Sequence, residues 1–219
     1  SSSESGSGAW FRSVGSSESR VVRNLNDQAD GLSVRCLRDD FGKKREVIIA
    51  TTPQSSAVDT NLVAHYTFDG PELRWQDTTS EVKDRSGNDR HGNALGSLGV
   101  RSPVAGKLGQ TLSFNGTDDY IDVGSIGTVR TVAFWLRTAD PTSQSLIDLN
   151  GSASISINAS DDITATGFTT PTYYLDGVPG ARATQGNEWH HVVVTTDTPI
   201  SASALDIGRI TTSYYQGTL

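Results

Sequence analysis

Apolar and polar residues alternate with a period of two along much of the chain, which is the pattern of half-buried β-strands. The clearest example is the stretch 110–123, in which Leu112 and Phe114 alternate with polar neighbours. An Asn-Gly dipeptide at 115–116 interrupts the alternation, and both residue types adopt positive φ readily. We therefore predict two short strands here, joined as a hairpin, around which the other strands are arranged.

The strongest strand is predicted at 131–137. Its alternation places Phe134 and Leu136 on one face and Trp135 and Arg137 on the other. Further strands are predicted at 62–68, 145–149, 153–157, 172–175, 189–195 and 204–208. With turn residues between them and no helical periodicity, these strands predict an all-β, antiparallel β-sandwich.

The first sixty residues have a different character. Two β-like runs occur at 10–14 and 31–38, but the region has too few apolar residues to bury a core of its own. The stretch that follows is polar, charged and proline-containing, as inter-domain connectors are. We predict three parts, namely the C-terminal fragment of another domain at 1–39, a linker at 40–60 and a main β domain at 61–219.

Charge and composition narrow the range of partners. The chain has 219 residues and a formal net charge of −7, which argues against nucleic acid because a phosphate backbone requires a basic surface. It has no run of ~20 apolar residues, so we predict no membrane-spanning helix in this segment. Cys36 is the one cysteine, so no disulfide can form within the chain. These features leave the oligomeric state open.

Seven motifs follow one another in a recognisable order. They are Leu-Val-Ala-His-Tyr-Thr-Phe-Asp at 62–69, Asp-Arg-Ser-Gly-Asn at 84–88, Ala-Gly-Lys-Leu-Gly at 105–109, Leu-Ser-Phe-Asn-Gly-Thr-Asp-Asp-Tyr-Ile at 112–121, Val-Ala-Phe-Trp-Leu-Arg at 132–137, Trp-His-His-Val at 189–192 and Leu-Asp-Ile-Gly-Arg at 205–209. In this order they resemble the LamG-like (laminin G, concanavalin A-like) jelly-roll family over residues 61–219. The resemblance implies a jelly roll. A final strand usually follows Gly-x-Leu in that family, so the Gly-Thr-Leu at 217–219 implies that this strand is missing here.

The N-terminal part resembles a second family. The runs Ser-Glu-Ser-Gly-Ser-Gly-Ala-Trp-Phe-Arg at 3–12 and Asp-Gly-Leu-Ser-Val-Arg-Cys-Leu-Arg-Asp at 30–39 are similar to the end of the FISUMP-type domain of bacterial surface proteins. Leu32 replaces the aromatic residue usual in that family. This resemblance implies an extracellular or cell-surface location.

A structural calcium ion is one expectation from the LamG-like resemblance, which implies such an ion near the glycine-containing loop at 84–92. Calcium takes about six to eight oxygen ligands in proteins. The candidate ligands are Asp69, Asp84, Ser86, Asn88, Asp118 and Asp119. The alternative is that the side chains of Asp84, Ser86 and Asn88 only satisfy backbone amides of a turn.

The sequence lacks the usual patterns of catalytic residues. His190 and His191 fall on opposite faces of one strand and cannot both hold one metal ion without distortion. Glu72, Glu81 and Glu188 are isolated, whereas a glycosidase needs two carboxylates facing each other across a sugar. We therefore predict a non-catalytic domain.

Carbohydrate sites place aromatic rings against sugar faces. The aromatic residues in or near predicted loops are Trp75, Tyr173, Tyr174, Tyr214 and Tyr215, and these are the candidate ligand-binding residues. Trp135 and Trp189 belong to strong strands, so we interpret them as core residues. Glycan binding itself is implied mainly by analogy with the fold.

These expectations predict an extracellular recognition or adhesion module that binds a glycan or another cell-surface or matrix ligand. Two alternatives remain open. The domain is either a spacer or assembly module of a bacterial cell-surface or pilus-like protein, or an accessory domain of a polysaccharide-degrading enzyme.

Overall fold

The computed structural model describes the backbone of residues 8–13 and 22–27 and all of residues 61–219. The chain divides into two compact units, Ser1–Pro53 and Gln54–Leu219. Within the described residues, no helix is long and apolar enough to cross a membrane.

The described part of the first unit is a pair of strands. Strand β1 (Gly8–Ser13) pairs antiparallel with strand β2 (Val22–Asp27). Strand β1 covers most of the run predicted at 10–14. The run predicted at 31–38 and the linker predicted at 40–60 lie outside the described residues.

Short antiparallel strands make up the second unit. They are β3 (Asn93–Leu95), β4 (Pro103–Ala105), β5 (Gln110–Asn115), β6 (Tyr120–Gly124), β7 (Gly127–Leu136), β8 (Ser145–Asp148), β9 (Ser154–Ile157), β10 (Ile163–Thr166), β11 (Thr172–Leu175), β12 (Val178–Pro179), β13 (His190–Ala202), β14 (Leu205–Ile207), β15 (Arg209–Ile210), β16 (Ser213–Tyr214) and β17 (Gln216–Thr218). A 3₁₀ turn at Gly70–Glu72 precedes them, and residues 61–219 contain no α-helix. The predicted all-β class is confirmed.

The largest sheet has six strands in the order β10-β9-β8-β14-β6-β3. Ile207 of β14 lies opposite Ile121 of β6 on one side and Ile147 of β8 on the other, and Ile155 of β9 lies opposite Ile147. All four isoleucines are buried. Successive side chains of a strand point to opposite faces, so Asp122 and Asp206, which directly adjoin Ile121 and Ile207, point to the other face of the sheet.

The other strands form a four-stranded sheet, β12-β11-β13-β7, a three-stranded sheet, β17-β5-β4, and the short pair β15-β16. An isolated antiparallel bridge between Arg137 and Thr218 links β7 to β17, with backbone hydrogen bonds of 2.9 and 2.8 Å. The four-stranded and three-stranded sheets therefore continue one another at this bridge.

Residues from the six-, four- and three-stranded sheets share one apolar core. It includes Ile121 and Ile155 of the six-stranded sheet, Leu136 and Val194 of the four-stranded sheet, and Leu112 of the three-stranded sheet. Fully burying a side chain of this size contributes ~1.5–3 kcal/mol to folding. The arrangement is consistent with the predicted β-sandwich, while the jelly-roll order of strands stays a prediction.

The hairpin predicted around the Asn-Gly dipeptide is wrong. Strands β5 and β6 flank that dipeptide, but β5 pairs with β4 and β17, and β6 pairs with β3 and β14. The Asn115 side-chain oxygen accepts hydrogen bonds from the backbone nitrogens of Thr117, Asp118 and Asp119. The dipeptide does form a turn, with Gly116 at a φ of +76°, but this turn leads the chain from one sheet into another.

The hairpin in this region lies one strand earlier, between β4 and β5. Ala105 pairs with Gln110, and the Gly106 nitrogen donates a 3.0 Å hydrogen bond to the Gly109 carbonyl. Gly109 has a φ of +70°, a value that glycine adopts without strain. This turn presents Lys107 at its tip.

The last residues belong to the three-stranded sheet. The Leu112 nitrogen donates a 3.4 Å hydrogen bond to the carbonyl of Leu219, whose side chain is buried. A further strand beyond Leu219 stays a prediction.

Candidate ligand-binding face

Strand β7 has one face in the core and one face outside it. Leu136 is buried and Phe134 packs against the core. Ala133 and Arg137 are exposed, and Trp135 between them is half-buried. Trp135 therefore lies on the outward face of the four-stranded sheet.

Strand β13 extends this outward face. His191 lies opposite Trp135, with 4.9 Å between the ring centroids and an interplanar angle of 39°. Trp189 directly precedes β13 and is half-buried, and the Arg137 guanidinium carbon lies 5.3 Å from the centroid of its ring. Tyr174 of β11 lies opposite Val193 and is 36% exposed. We call Trp135, Tyr174, Trp189 and His191 the aromatic face.

A row of hydroxyl groups lies on the same side of this sheet. Thr195 of β13 lies opposite Thr131 of β7 and Thr172 of β11. Thr195 is two residues beyond Val193, so the hydroxyls lie about 7 Å along the strands from the row that contains Tyr174. The surface thus combines aromatic rings with adjacent hydrogen-bonding groups.

Two cations lie over the tryptophans. The Lys107 Nζ lies 5.7 Å from the centroid of the Trp135 ring, and the Arg137 guanidinium carbon lies 5.3 Å from the centroid of the Trp189 ring. Both side chains are exposed. Neither forms an ion pair with a carboxylate within residues 61–219.

The prediction that Tyr215 binds ligand is wrong, because its side chain has no exposed surface. Its ring packs against Phe114, with centroids 5.9 Å apart, and its hydroxyl donates to the carbonyl of Arg137 at 2.9 Å. Burial raises the pKa of Tyr215 above its ordinary value. Tyr215 therefore supports the backbone of Arg137 from inside the core.

Three of the other predicted aromatic residues lie away from the aromatic face. Trp75 and Tyr173 are partly buried against the core, and the Tyr173 hydroxyl accepts a 3.1 Å hydrogen bond from the Ala165 nitrogen. The Tyr214 ring lies 6.1 Å from the Tyr120 ring. Of the five predicted residues, only Tyr174 belongs to the aromatic face.

Trp135 and Trp189 were missed as site residues, because tryptophan in a strong strand was assigned to the core. Both are half-buried and lie outside the core cluster. A signal was present in the alternation of β7, which places Trp135 on the same face as Arg137.

Asp84, the first candidate calcium ligand, is surrounded by hydrogen-bond donors. Its Oδ1 accepts from the backbone nitrogens of His65 and Ser86, both at 2.8 Å. Its Oδ2 accepts from the Ser86 hydroxyl at 2.7 Å and from the Arg90 nitrogen at 3.1 Å. Burial raises the pKa of Asp84, but these hydrogen bonds outweigh it and hold the pKa below its ordinary value.

Asn88 and Asp69 also form hydrogen bonds within the protein. The Asn88 amide donates to the Leu62 and Val63 carbonyls, and Asp69 Oδ1 accepts from the Gln110 nitrogen at 2.9 Å. Within the described residues, no group of three or more His, Cys, Asp or Glu side chains is placed to hold a metal ion.

Asp118 and Asp119 contact the turn after β5. The Asn115 amide donates to Asp118 at 2.6 Å, and Asp119 accepts from the nitrogens of Asn115 at 3.0 Å and Ser97 at 2.8 Å. These contacts agree with the alternative in which the side chains satisfy turn donors. Calcium binding stays a prediction.

A buried histidine and an exposed aspartate form a pair beside the aromatic face. His190 Nδ1 lies 2.8 Å from Asp176 Oδ2, and His190 Nε2 accepts a 3.0 Å hydrogen bond from the Gln185 nitrogen. Because Nε2 is an acceptor, Nδ1 carries the proton and donates to Asp176. Burial raises the pKa of Asp176, but the hydrogen bonds from His190 and His191 outweigh it and lower the pKa. The Nε2 lone pair is used within the protein, so this pair is arranged to hold the chain around 176–191.

The outward face of the six-stranded sheet carries three aspartates side by side. Asp206 of β14 lies opposite Asp122 of β6 and Asp148 of β8, and we call these residues the acidic row. Arg209 donates to Asp206 Oδ2 at 3.0 and 2.6 Å, and its guanidinium carbon lies 3.5 Å from the centroid of the Tyr120 ring. Burial and the charges of Asp122 and Asp148 raise the pKa of Asp206 above its ordinary value, although Arg209 opposes the rise.

Comparison with known proteins adds no relative. No protein-family model matches the chain, and neither a curated protein nor a solved structure matches it significantly. Both family resemblances therefore stay predictions, and the proposals that follow depend on the geometry of the aromatic face.

Proposed function

We propose that residues 61–219 form a non-catalytic, extracellular recognition domain that binds a carbohydrate on the aromatic face. The observation that carries the proposal is the placement of Trp135 and Trp189. Both rings are partly exposed on the outward side of a sheet whose other side supplies the core. Their exposed surface therefore has no role in the core and is available for contact with a ligand.

Aromatic rings suit carbohydrate because one side of a pyranose ring exposes a flat array of C–H groups. An indole ring covers such a surface, and its N–H remains available for hydrogen bonding. The hydroxyls of Thr131, Thr172 and Thr195 lie on the same outward side and would exchange hydrogen bonds with sugar hydroxyls. A site of this kind, with apolar area and a few placed polar groups, is typical of small-ligand recognition.

The rigidity of the sheet supports binding. Trp135 belongs to a continuous antiparallel pairing that extends from His190↔Leu136 to Thr195↔Thr131. A ligand that binds residues already held by a sheet immobilises few additional side chains, so less free energy is lost to ordering.

The test is glycan binding by the 219-residue chain and two single variants, Trp135→Ala and Trp189→Ala. A glycan array finds a ligand, and calorimetry measures its Kd. We expect each substitution to weaken binding about tenfold or more, since truncation of a central aromatic residue commonly removes over ~1.4 kcal/mol. Tyr214→Ala is the matched control, because Tyr214 lies beside Tyr120 and away from the aromatic face.

Circular dichroism and thermal melting of each variant establish that it is folded. If no glycan binds, or if the two tryptophan variants bind as tightly as the unaltered chain, the proposal is wrong. The domain would then fit the spacer or assembly module better.

A further inference from the structure

We propose that the carbohydrate bound on the aromatic face is acidic, and that Lys107 and Arg137 select it by contacting the carboxylates of uronic acid units. This inference rests on the proposed function, because it names the class of ligand for the same face. It depends on the charges beside the tryptophans and on the way in which Arg137 is held.

The first observation is the sign of the charge. The chain has a net charge of −7, yet the two charged side chains that lie over the tryptophan rings are both cations. Within residues 61–219 neither has a carboxylate partner. The N–H groups of Lys107 and Arg137 are therefore exposed donors with no acidic acceptor in the described part of the chain.

The nearby acids form no ion pair with Lys107 or Arg137. Asp176 directs one carboxylate oxygen to His190 Nδ1 and the other to the His191 nitrogen, both at 2.8 Å. Glu188 precedes Trp189 in the chain, is exposed, and forms no ion pair within residues 61–219. An anionic ligand bound at Trp189 would approach Glu188, which makes this residue useful in the test.

The second observation is the anchoring of Arg137. Its nitrogen donates to the Thr218 carbonyl at 2.9 Å. Its carbonyl accepts from the Thr218 nitrogen at 2.8 Å and from the Tyr215 hydroxyl at 2.9 Å. The backbone of Arg137 is therefore held through both its nitrogen and its carbonyl, while the guanidinium stays at the surface.

The chemistry of the two groups fits a carboxylate on a sugar. A guanidinium presents a planar fork of N–H donors that matches both oxygens of a carboxylate. A uronic acid carries its carboxylate on a pyranose ring, so one ligand unit would contact an indole ring and a neighbouring cation together.

The experiment compares an oligogalacturonate with its methyl ester, in buffer that contains a chelator so that calcium does not crosslink the acid. The two ligands share one sugar backbone and differ in charge. We expect the full chain to bind the acid more tightly than the ester, and the affinity for the acid to fall as salt is raised. Arg137→Gln and Lys107→Gln should each weaken binding of the acid roughly two- to fivefold, as expected for an exposed charge pair. Each should weaken binding of the acid by a larger factor than binding of the ester.

Glu188→Gln is the matched control with the opposite sign, and it should tighten binding of the acid while leaving the ester unchanged. Equal affinity for acid and ester, with no response to the three charge substitutions, would overturn the acidic selectivity and leave the proposed function standing. Binding of neither ligand, together with no binding on a glycan array, would overturn both proposals. Binding of polyglutamate but of no glycan, lost on Arg137→Gln, would assign the face to an acidic protein and would also overturn both.

Discussion

Arg209 donates two hydrogen bonds to Asp206 of the six-stranded sheet and lies over Tyr120 of the same sheet. Arg137, which directly follows β7 of the four-stranded sheet, lies over Trp189 and has no carboxylate partner within residues 61–219. Both arginines belong to the surface of the same domain, and both contact an aromatic ring. They differ in how many of their donors are already satisfied by the protein. Asp206 and Arg209 satisfy each other within the domain, whereas in our proposal the donors of Arg137 are left for a ligand.

The acidic row uses other internal donors as well. Asp148 is buried, and its Oδ1 accepts from the nitrogens of Asn150 at 3.1 Å and Gly151 at 2.6 Å. These bonds fix the turn between β8 and β9. A polar group whose partners lie in its own fold contributes to stability, and one without internal partners is available for recognition. Predictions that separate stability from binding therefore test this comparison.

The largest expected effect compares Tyr215, which is buried in the core, with Tyr174, which lies on the aromatic face. Tyr215→Ala should lower the free energy of unfolding by ~3–5 kcal/mol, because it removes a fully buried ring, while Tyr174→Ala should change it by less than ~1 kcal/mol. Urea unfolding measures both. If Tyr215→Ala does not fold, Tyr215→Phe keeps the ring, removes only the hydroxyl that contacts the carbonyls of Arg137 and Thr218, and should cost ~1 kcal/mol. Similar losses for Tyr174→Ala and Tyr215→Ala would contradict the division into core and face.

The next effect compares the two arginines directly. Arg209→Gln should lower the free energy of unfolding by ~2 kcal/mol, because it leaves half-buried Asp206 beside two further aspartates without its cation. Arg137→Gln should change it by less than ~0.5 kcal/mol, since its side chain is exposed. Binding should respond in the opposite order, with the larger loss in Arg137→Gln. Equal destabilisation by the two variants would contradict the distinction between the acidic row and the aromatic face.

The smallest effects are in the pH dependence of stability. The pKa of Asp84 is lowered in the folded protein, so its contribution is present above the ordinary value of 3.8 and is lost as pH falls through the folded pKa. Asp84→Asn should therefore cost ~1–2 kcal/mol at pH 7, and the difference from the unaltered chain should shrink in acid. A larger cost that appears only with calcium present would instead support the predicted calcium site.

Asp206 should behave with the opposite sign. Its pKa is raised on folding, so its ionisation costs stability as pH rises through the window between 3.8 and the folded pKa. Asp206→Asn should leave stability unchanged below that window and raise it slightly, by less than ~1 kcal/mol, at pH 7. Urea unfolding from pH 3 to pH 7 measures both variants. A loss of stability in Asp206→Asn at pH 7 would show that Arg209 outweighs the repulsion within the acidic row.

Much of the secondary structure could be predicted from the sequence, and less of the candidate site. Alternation in β7 placed Phe134 and Leu136 together, and the structure confirms that they face the core. The same alternation placed Trp135 with Arg137. The interpretation of Trp135 as a core residue followed instead the general preference of tryptophan for protein interiors. Tyr215 was the reverse case, in which a residue near predicted loops proved to be fully buried.

The sequence by itself determined most of the longer strands, which of their residues share a face, and that Asn115-Gly116 makes a turn, because these properties depend on neighbours a few residues apart. The strand predicted at 62–68 is wrong, because those residues pair with no neighbouring strand in the structure. The tertiary structure alone decided that β5 and β6 enter different sheets and that Asp122, Asp148 and Asp206 form one row. It also decided that the face with Trp135 points away from the core. A period of two distinguishes the two faces of a strand, but which face is buried and which strands become neighbours are determined by contacts between distant parts of the chain.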